Sequence, residues 1–376
     1  MSKTFDPVPW LAAFVLAAGA GVTLWWAAQD DSGAPGPAAA PASGAAGAPV
    51  AGGSVAKPIG GGAGGGGSAS EVGWVPGTAR DAIARDQADQ SLPDGTACED
   101  RPNPVDIAKD AAAQVEGELR KATAVSDAEE AALGERLERE APKAAPFAGK
   151  WDLPQDRERF GPYLQGVVDH LAQHGQRSAI RYRVHVVRDE AFNAFALPGG
   201  VLAVHTAVLQ GPHAVQSEAE LAAVLGHEIA HVERRHPVAA YQYAKLIAGD
   251  AAEDAAVIVH MLKMPISTEY EHEADARGLE LAAAGQYDPF AACKLWLRHG
   301  AETQRQGQGG RPSLGGIVGQ VVGMAEQVLH SHPPTYQRCA RTRELAKRLN
   351  AAAKVERWYR GEQNIRELVP GPKKTF

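Results

Sequence analysis

Two histidines one helical turn apart, inside an apolar run, restrict this chain more than any other feature. The run is Ala222-Ala223-Val224-Leu225-Gly226-His227-Glu228-Ile229-Ala230-His231-Val232. On an α-helix, positions i and i+4 share a face, so His227 and His231 can aim two imidazoles at one metal ion. Glu228 lies about 100° round the helix from His227, close enough to the open side of such an ion to hold a water without ligating. Two neutral imidazoles with an adjacent carboxylate form the arrangement of a zinc hydrolase.

A catalytic zinc needs a third protein ligand, with the fourth position left to water. Downstream runs Ser267-Thr268-Glu269-Tyr270-Glu271-His272-Glu273-Ala274-Asp275-Ala276-Arg277-Gly278. Glu271 and Asp275 are again i and i+4 and share a helical face. Glu271 is the expected third ligand. Asp275 is expected behind it, orienting a ligand histidine through the other ring nitrogen. Glu273, two residues from Glu271, faces elsewhere. His236 stands one residue off the ligand face and reads as a helix-end histidine.

The whole chain has 376 residues and a formal charge of −7, room for one large or two modest domains. No basic patch interleaved with aromatics occurs, so nucleic acid is excluded as a partner. Residues 7–28 carry no charge, with Trp10 at one end and Trp25-Trp26 at the other. Helix from Trp10 to Trp26 spans about 25 Å, enough to cross most of a bilayer core, and the tryptophans suit its two interfaces. Residues 1–29 are therefore expected to be a retained single-pass anchor, touching the membrane through residues 8–28, with the rest of the chain outside. The rival is a signal segment cleaved near Ala27-Ala28. Residues 30–75 are rich in Gly, Ala and Pro, with Gly64-Gly65-Gly66-Gly67 among them; such composition buries no core and acts as a tether.

Residues 76–126 read as a polar and helical lead-in, and 127–360 as the catalytic domain, followed by a tail over 361–376. Helices are expected over 104–140 and 159–174, the second with Tyr163, Val167, Val168 and Leu171 on one side. Ile180 to Val187 reads as a strand in which His185 is an ordinary strand residue. Pro198-Gly199-Gly200 forces a turn, giving a hairpin from Asn193 to Val204, and a strand edge beside a zinc site can hold an extended peptide. The metal helix is expected over 218–236, more helix over 239–263, and a last basic helix reaching about Tyr359. The three cysteines, Cys98, Cys293 and Cys339, form neither a zinc knuckle nor a paired framework.

In combination these motifs resemble a family of zinc metallopeptidases, peptidase family forty-eight of the metallo class, which includes HtpX, the CAAX prenyl protease, OMA-type proteases and the periplasmic BepA and LoiP proteases. Four segments carry the resemblance in order: N-A-F-A-L-P-G-G at Asn193 to Gly200, L-G-H-E-I-A-H at Leu225 to His231, E-x-E-A-D-x-x-G at Glu271 to Gly278, and S-H-P-P with a later arginine at Ser331 to Arg338. Ser267-Thr268 departs from the family's frequent S-R. The resemblance implies an α+β, mainly helical zincin (gluzincin) domain with a small sheet or hairpin beside the metal helix. It implies one Zn2+ per chain and unfolded or misassembled envelope proteins as substrates. It also implies that Asn193, with Ala194 and Phe195, meets the substrate backbone. His332 and Arg338 would lie near the metal and stabilise an oxyanion, and His332 is similar to a removable fourth ligand that keeps periplasmic relatives latent. By this resemblance the domain faces the periplasm from the inner membrane, or is released to it after signal cleavage.

Two other classes compete with an endopeptidase. One is a non-proteolytic chaperone or assembly factor on the same fold. The other is a metal-dependent amidase or deformylase, whose sites commonly place a cysteine or a different third ligand at the metal.

Overall fold

The computed structural model describes residues 82–88, 125–249, 251–263, 268–307 and 336–368. Within them the elements run β1 (Ala82–Ala84), α1 (Asp127–Glu140), α2 (Pro154–Ala172), β2 (Arg183–Val187), β3 (Ala194–Leu197), β4 (Val201–His205), α3 (Glu218–Glu233), α4 (His236–Ala248), α5 (Asp254–Lys263), α6 (Thr268–Ala284), α7 (Ala291–Gly307), α8 (Tyr336–Ala352), β5 (Arg357–Tyr359) and α9 (Glu362–Glu367). Helix predominates, with two small sheets. The anchor and tether expected over residues 1–75 lie outside the described residues. No helix among those described is long and apolar enough to cross a membrane.

Helix α3 is the centre. Every residue from Glu218 to Val232 is buried, so this helix is enclosed on all sides rather than amphipathic. Ser217 caps its start, accepting from the Glu220 N–H at 3.1 Å. The carboxylate of Glu218, fully buried one residue later, accepts from the hydroxyls of Tyr163 at 3.1 Å and Tyr287 at 2.9 Å. Burial and the Glu218 charge together push both phenols well above their ordinary pKa.

Helix α2 covers one side of α3 with Phe160, Tyr163, Leu164, Val167, Val168 and Leu171, all buried. Their spacing is the helical stripe expected from the sequence. The three-stranded sheet has the order β2-β4-β3. β3 and β4 form the expected hairpin, with Leu197 opposite Val201, while β2 runs parallel to β4. Gly199 takes φ 73° in the turn, and α1 lies against it: a Cβ on Gly134 would meet the Pro198 carbonyl oxygen at 2.4 Å. Glycine is required there by close approach. Buried Glu130 of α1 is matched by Arg177 at 2.7 Å.

Several expected boundaries move. The helical stretch over 239–263 is two helices, α4 and α5, separated at Gly249, which takes φ 85°. The last long helix stops at Ala352, and Arg357–Tyr359 is instead a strand paired antiparallel with β1, Ile83 opposite Trp358. The lead-in therefore supplies a strand to a sheet closed by the domain's far end, pairing that composition does not reveal. The stretch after 360 is not wholly a tail, because α9 buries Ile365 in the same core as α3. Cys293 of α7 and Cys339 of α8 meet in that core with sulfurs 3.2 Å apart.

Candidate metal centre

Helix α6 packs along α3 more extensively than any other pair of elements, and the two helices touch at Gly226 and Gly278. That approach brings Glu271 to the two histidines of α3. The Nε2 atoms of His227 and His231 are 2.9 Å apart. Glu271 reaches 3.5 Å from His227 Nε2 with one oxygen and 3.4 Å from His231 Nε2 with the other. All three side chains are buried. Donors bonded at about 2.0–2.1 Å around one tetrahedral ion stand about 3.3 Å apart. Two imidazole nitrogens and a carboxylate at these spacings, converging on a point screened from water, therefore fit a zinc ion.

Glu228 is equally buried, on the same turn as His227. It lies close enough to Arg338 for its charge to act on that guanidinium.

Behind the trio, Asp275 holds His227. Its Oδ1 stands 2.9 Å from Nδ1, so His227 carries its proton on Nδ1 and leaves Nε2 bare. Arg338 grips the same carboxylate through Nε at 2.7 Å and Nη2 at 2.5 Å. Its Nη1 lies 3.2 Å from Glu271, and its guanidinium sits over the Trp296 ring at 3.9 Å. Burial alone would raise the Asp275 carboxyl; the Arg338 charge and the bonds from Arg338 and His227 outweigh it and hold the pKa down to about 2. Burial would likewise depress Arg338, but Asp275, Glu271 and Glu228 hold its pKa above the ordinary value.

The resemblance implies that Arg338 lies near the metal, and its guanidinium stands beside Glu271, directed at Asp275 and Glu271. His332 falls outside the described residues.

The strand residues lie at the edge of the sheet, as expected. Asn193 precedes β3 and its carbonyl accepts from the His205 N–H at 3.0 Å. Phe195 turns its ring inward to stack on Phe147 at 5.2 Å, and Ala194 is buried as well. The side chains of Ala194 and Phe195 belong to the core, so at these two positions the edge strand offers its main-chain groups.

Sequence reasoning assigned no part in the site to one neighbour of the trio. His236, first residue of α4, places Nδ1 2.8 Å from Nδ1 of His231. Its Nε2 lies 3.2 Å from Glu273, and its ring stacks on Tyr270, centroids 4.1 Å apart. The turn that brings it there passes through Arg235 at φ 60°. The i+5 spacing from His231 lies beyond a helix end, where face-counting stops working. A separate cavity of about 690 Å³, lined among others by Arg159, Ser217, Glu220, Lys294 and Arg360, shares no residue with the trio.

Comparison with known proteins agrees with this geometry. The model of peptidase family M48 matches residues 159–346, half of the chain, from α2 through most of α8. The mitochondrial metalloendopeptidase OMA1 of Schizosaccharomyces pombe is 31% identical over 157 residues, covering 39% of this chain and 46% of that protein. The protein of the same name from Saccharomyces cerevisiae is 29% identical over 171 residues, covering 42% and 45%. A putative beta-barrel assembly-enhancing protease of Vibrio cholerae is 42% identical over 79 residues, covering 20% and 16%. The chain thus spans less than half the length of each of these relatives. The stretch matched by the family model contains both helices that build the trio, and with it the chain belongs to peptidase family M48.

Proposed function

We propose that this protein is a zinc-dependent endopeptidase that cleaves unfolded or misassembled proteins of the cell envelope. The observation that carries the reading is the buried convergence of His227, His231 and Glu271 beside the carboxylate of Glu228. Bound by the trio, zinc would acidify a water and polarise a carbonyl. Glu228 takes the water's proton and passes it to the departing amine, which a buried carboxylate one residue from a ligand is placed to do. His227 and Glu271 are kept in position by Asp275 and Arg338, so the ligands need no rearrangement when substrate arrives. His332 remains the candidate donor to the developing oxyanion.

Substrate backbone is proposed to lie along β3, an edge of its sheet. Asn193 bonds His205 across the pair, so by antiparallel alternation the main-chain groups of Ala194 and Ala196 turn away from β4. Those groups can extend the sheet by one peptide strand, which favours unfolded segments over folded ones. The uncharged run over residues 8–28 supports tethering to the inner membrane with the domain in the periplasm; release after signal cleavage is the alternative. The metalloendopeptidase names of the relatives support proteolysis over the chaperone reading.

The test is hydrolysis of an unfolded protein by the purified full chain, with and without chelator, beside Glu228→Gln. Chelator-sensitive cleavage, absent from the variant, is expected. A folded wild type that binds zinc yet leaves unfolded proteins uncleaved overturns the peptidase reading in favour of a chaperone, unless His332→Ala releases cleavage and so reveals latency.

A further inference from the structure

Each ligand histidine needs a bare Nε2, so each must carry its proton on Nδ1 and give it to an acceptor. For His227 that acceptor is Asp275. For His231 the corresponding nitrogen, Nδ1, faces Nδ1 of His236 at 2.8 Å. Two ring nitrogens at this distance share one proton, and the ligand role of His231 assigns it to His231. His236 then accepts at Nδ1 and must be protonated at Nε2, the nitrogen that faces Glu273 at 3.2 Å. With neutral rings this is the sole consistent direction: His231 donates to His236, and His236 donates to Glu273. The stacked Tyr270 ring, 6° from parallel, holds the His236 plane. Glu273 retains 39% of its side-chain exposure while His236 is buried, so the relay starts at the trio and ends at solvent.

We propose that His236 is a positioning residue which, together with Glu273, fixes the tautomer and ring orientation of His231. The proposal rests on reading His227, His231 and Glu271 as a metal site. Removing His236 leaves the buried Nδ1–H of His231 without its acceptor, so the competing tautomer, with its proton on Nε2, gains population at the ligand's expense. Asparagine at position 236 restores an acceptor near the place of Nδ1.

The experiment measures zinc affinity by competition with a graded chelator, on the full chain, with thermal unfolding of the metal-free proteins alongside. His236→Ala is expected to weaken zinc binding about 10–100-fold, with His236→Asn recovering a large part of the loss. Glu273→Ala, changed at the solvent end, is expected to lose a smaller factor in the same direction. Wild-type affinity in a folded His236→Ala overturns the relay while leaving the metal site standing. Equal loss in His236→Asn and His236→Ala also overturns it, since a packing role alone predicts that result. Should His236→Ala fail to fold, Glu273→Ala decides, and unchanged affinity there overturns the proposal. A wild type that binds no zinc overturns both the relay and the metal site.

Discussion

Gly226 and Gly278 lie face to face where α3 crosses α6, and neither position has room for a side chain. A Cβ on Gly278 would stand 2.6 Å from the backbone nitrogen of His227, and one on Gly226 would stand 2.7 Å from the Gly278 carbonyl oxygen. The obstructing atoms are backbone, so alanine must push the helices apart. Gly278→Ala is therefore expected to draw Glu271 away from the histidines. The cost should be about 1–3 kcal/mol of stability, the usual range for overpacking. Chelator competition and thermal unfolding would show it; a variant with wild-type zinc affinity would refute the role given to this crossing.

Glu228→Gln removes the proton acceptor without disturbing the ligands. It should keep one zinc per chain, unfold at the wild-type temperature, and lose hydrolysis by at least about 10²–10⁴-fold. Zinc retention with full activity would exclude Glu228 as the base.

Arg338 is buried among three carboxylates whose charges act on it, Asp275, Glu271 and Glu228. Arg338→Ala leaves them uncompensated and should cost about 3–5 kcal/mol. Zinc supplies positive charge to the same group of acids, so the loss should be larger in chelator-treated protein than in zinc-loaded protein. Arg338→Lys retains the charge without the planar fork and should fall between the two. Calorimetry of all three proteins in both states tests the order.

Asp152 joins α1 to the sheet through an imidazole. His185 stands between it and Glu138, with Nδ1 2.7 Å from Asp152 and Nε2 2.9 Å from Glu138. Burial works against ionised Asp152, but the bonds from His185 and the Val186 N–H win, and its pKa is lowered. A lowered carboxyl contributes stability above its ordinary pKa and loses it as pH falls into the depressed range. Asp152→Asn should thus cost about 1–3 kcal/mol at neutral pH. The gap from wild type should close as pH drops below about 4. Denaturant melts across pH would reveal the convergence.

What the chain disclosed on first reading follows from how local each signal is. His227, Glu228 and His231 lie within five residues, and Glu271 and Asp275 within another five, so helical periodicity alone puts each set on one face. The hairpin at Pro198-Gly199-Gly200 and the stripe on α2 are local for the same reason. His236 escaped because its place depends on a left-handed turn at Arg235, after which helical spacing carries no information. The pairing of Ala82–Ala84 with Arg357–Tyr359 escaped because strands so far apart in the chain leave no mark on each other's composition. Arg338 was legible as a residue near the site, but the direction of its guanidinium is set by the packing of α8 on α6.

The start of the central helix is finished by residues some 140 positions further along the chain. The Glu218 N–H donates to the Gly361 carbonyl at 3.2 Å and the Ala219 N–H to that of Arg360 at 2.9 Å. These first-turn groups have no acceptors within their own helix. During synthesis they wait through some 140 further residues before either carbonyl exists, and contacts of such separation form late. A chain that ends ahead of residue 357 thus leaves these two N–H groups, on the helix that carries His227 and His231, without the carbonyls that accept them in the fold. Settling of the candidate metal site is consequently coupled to the synthesis of residues 360 and 361, far along the chain from the helix they complete.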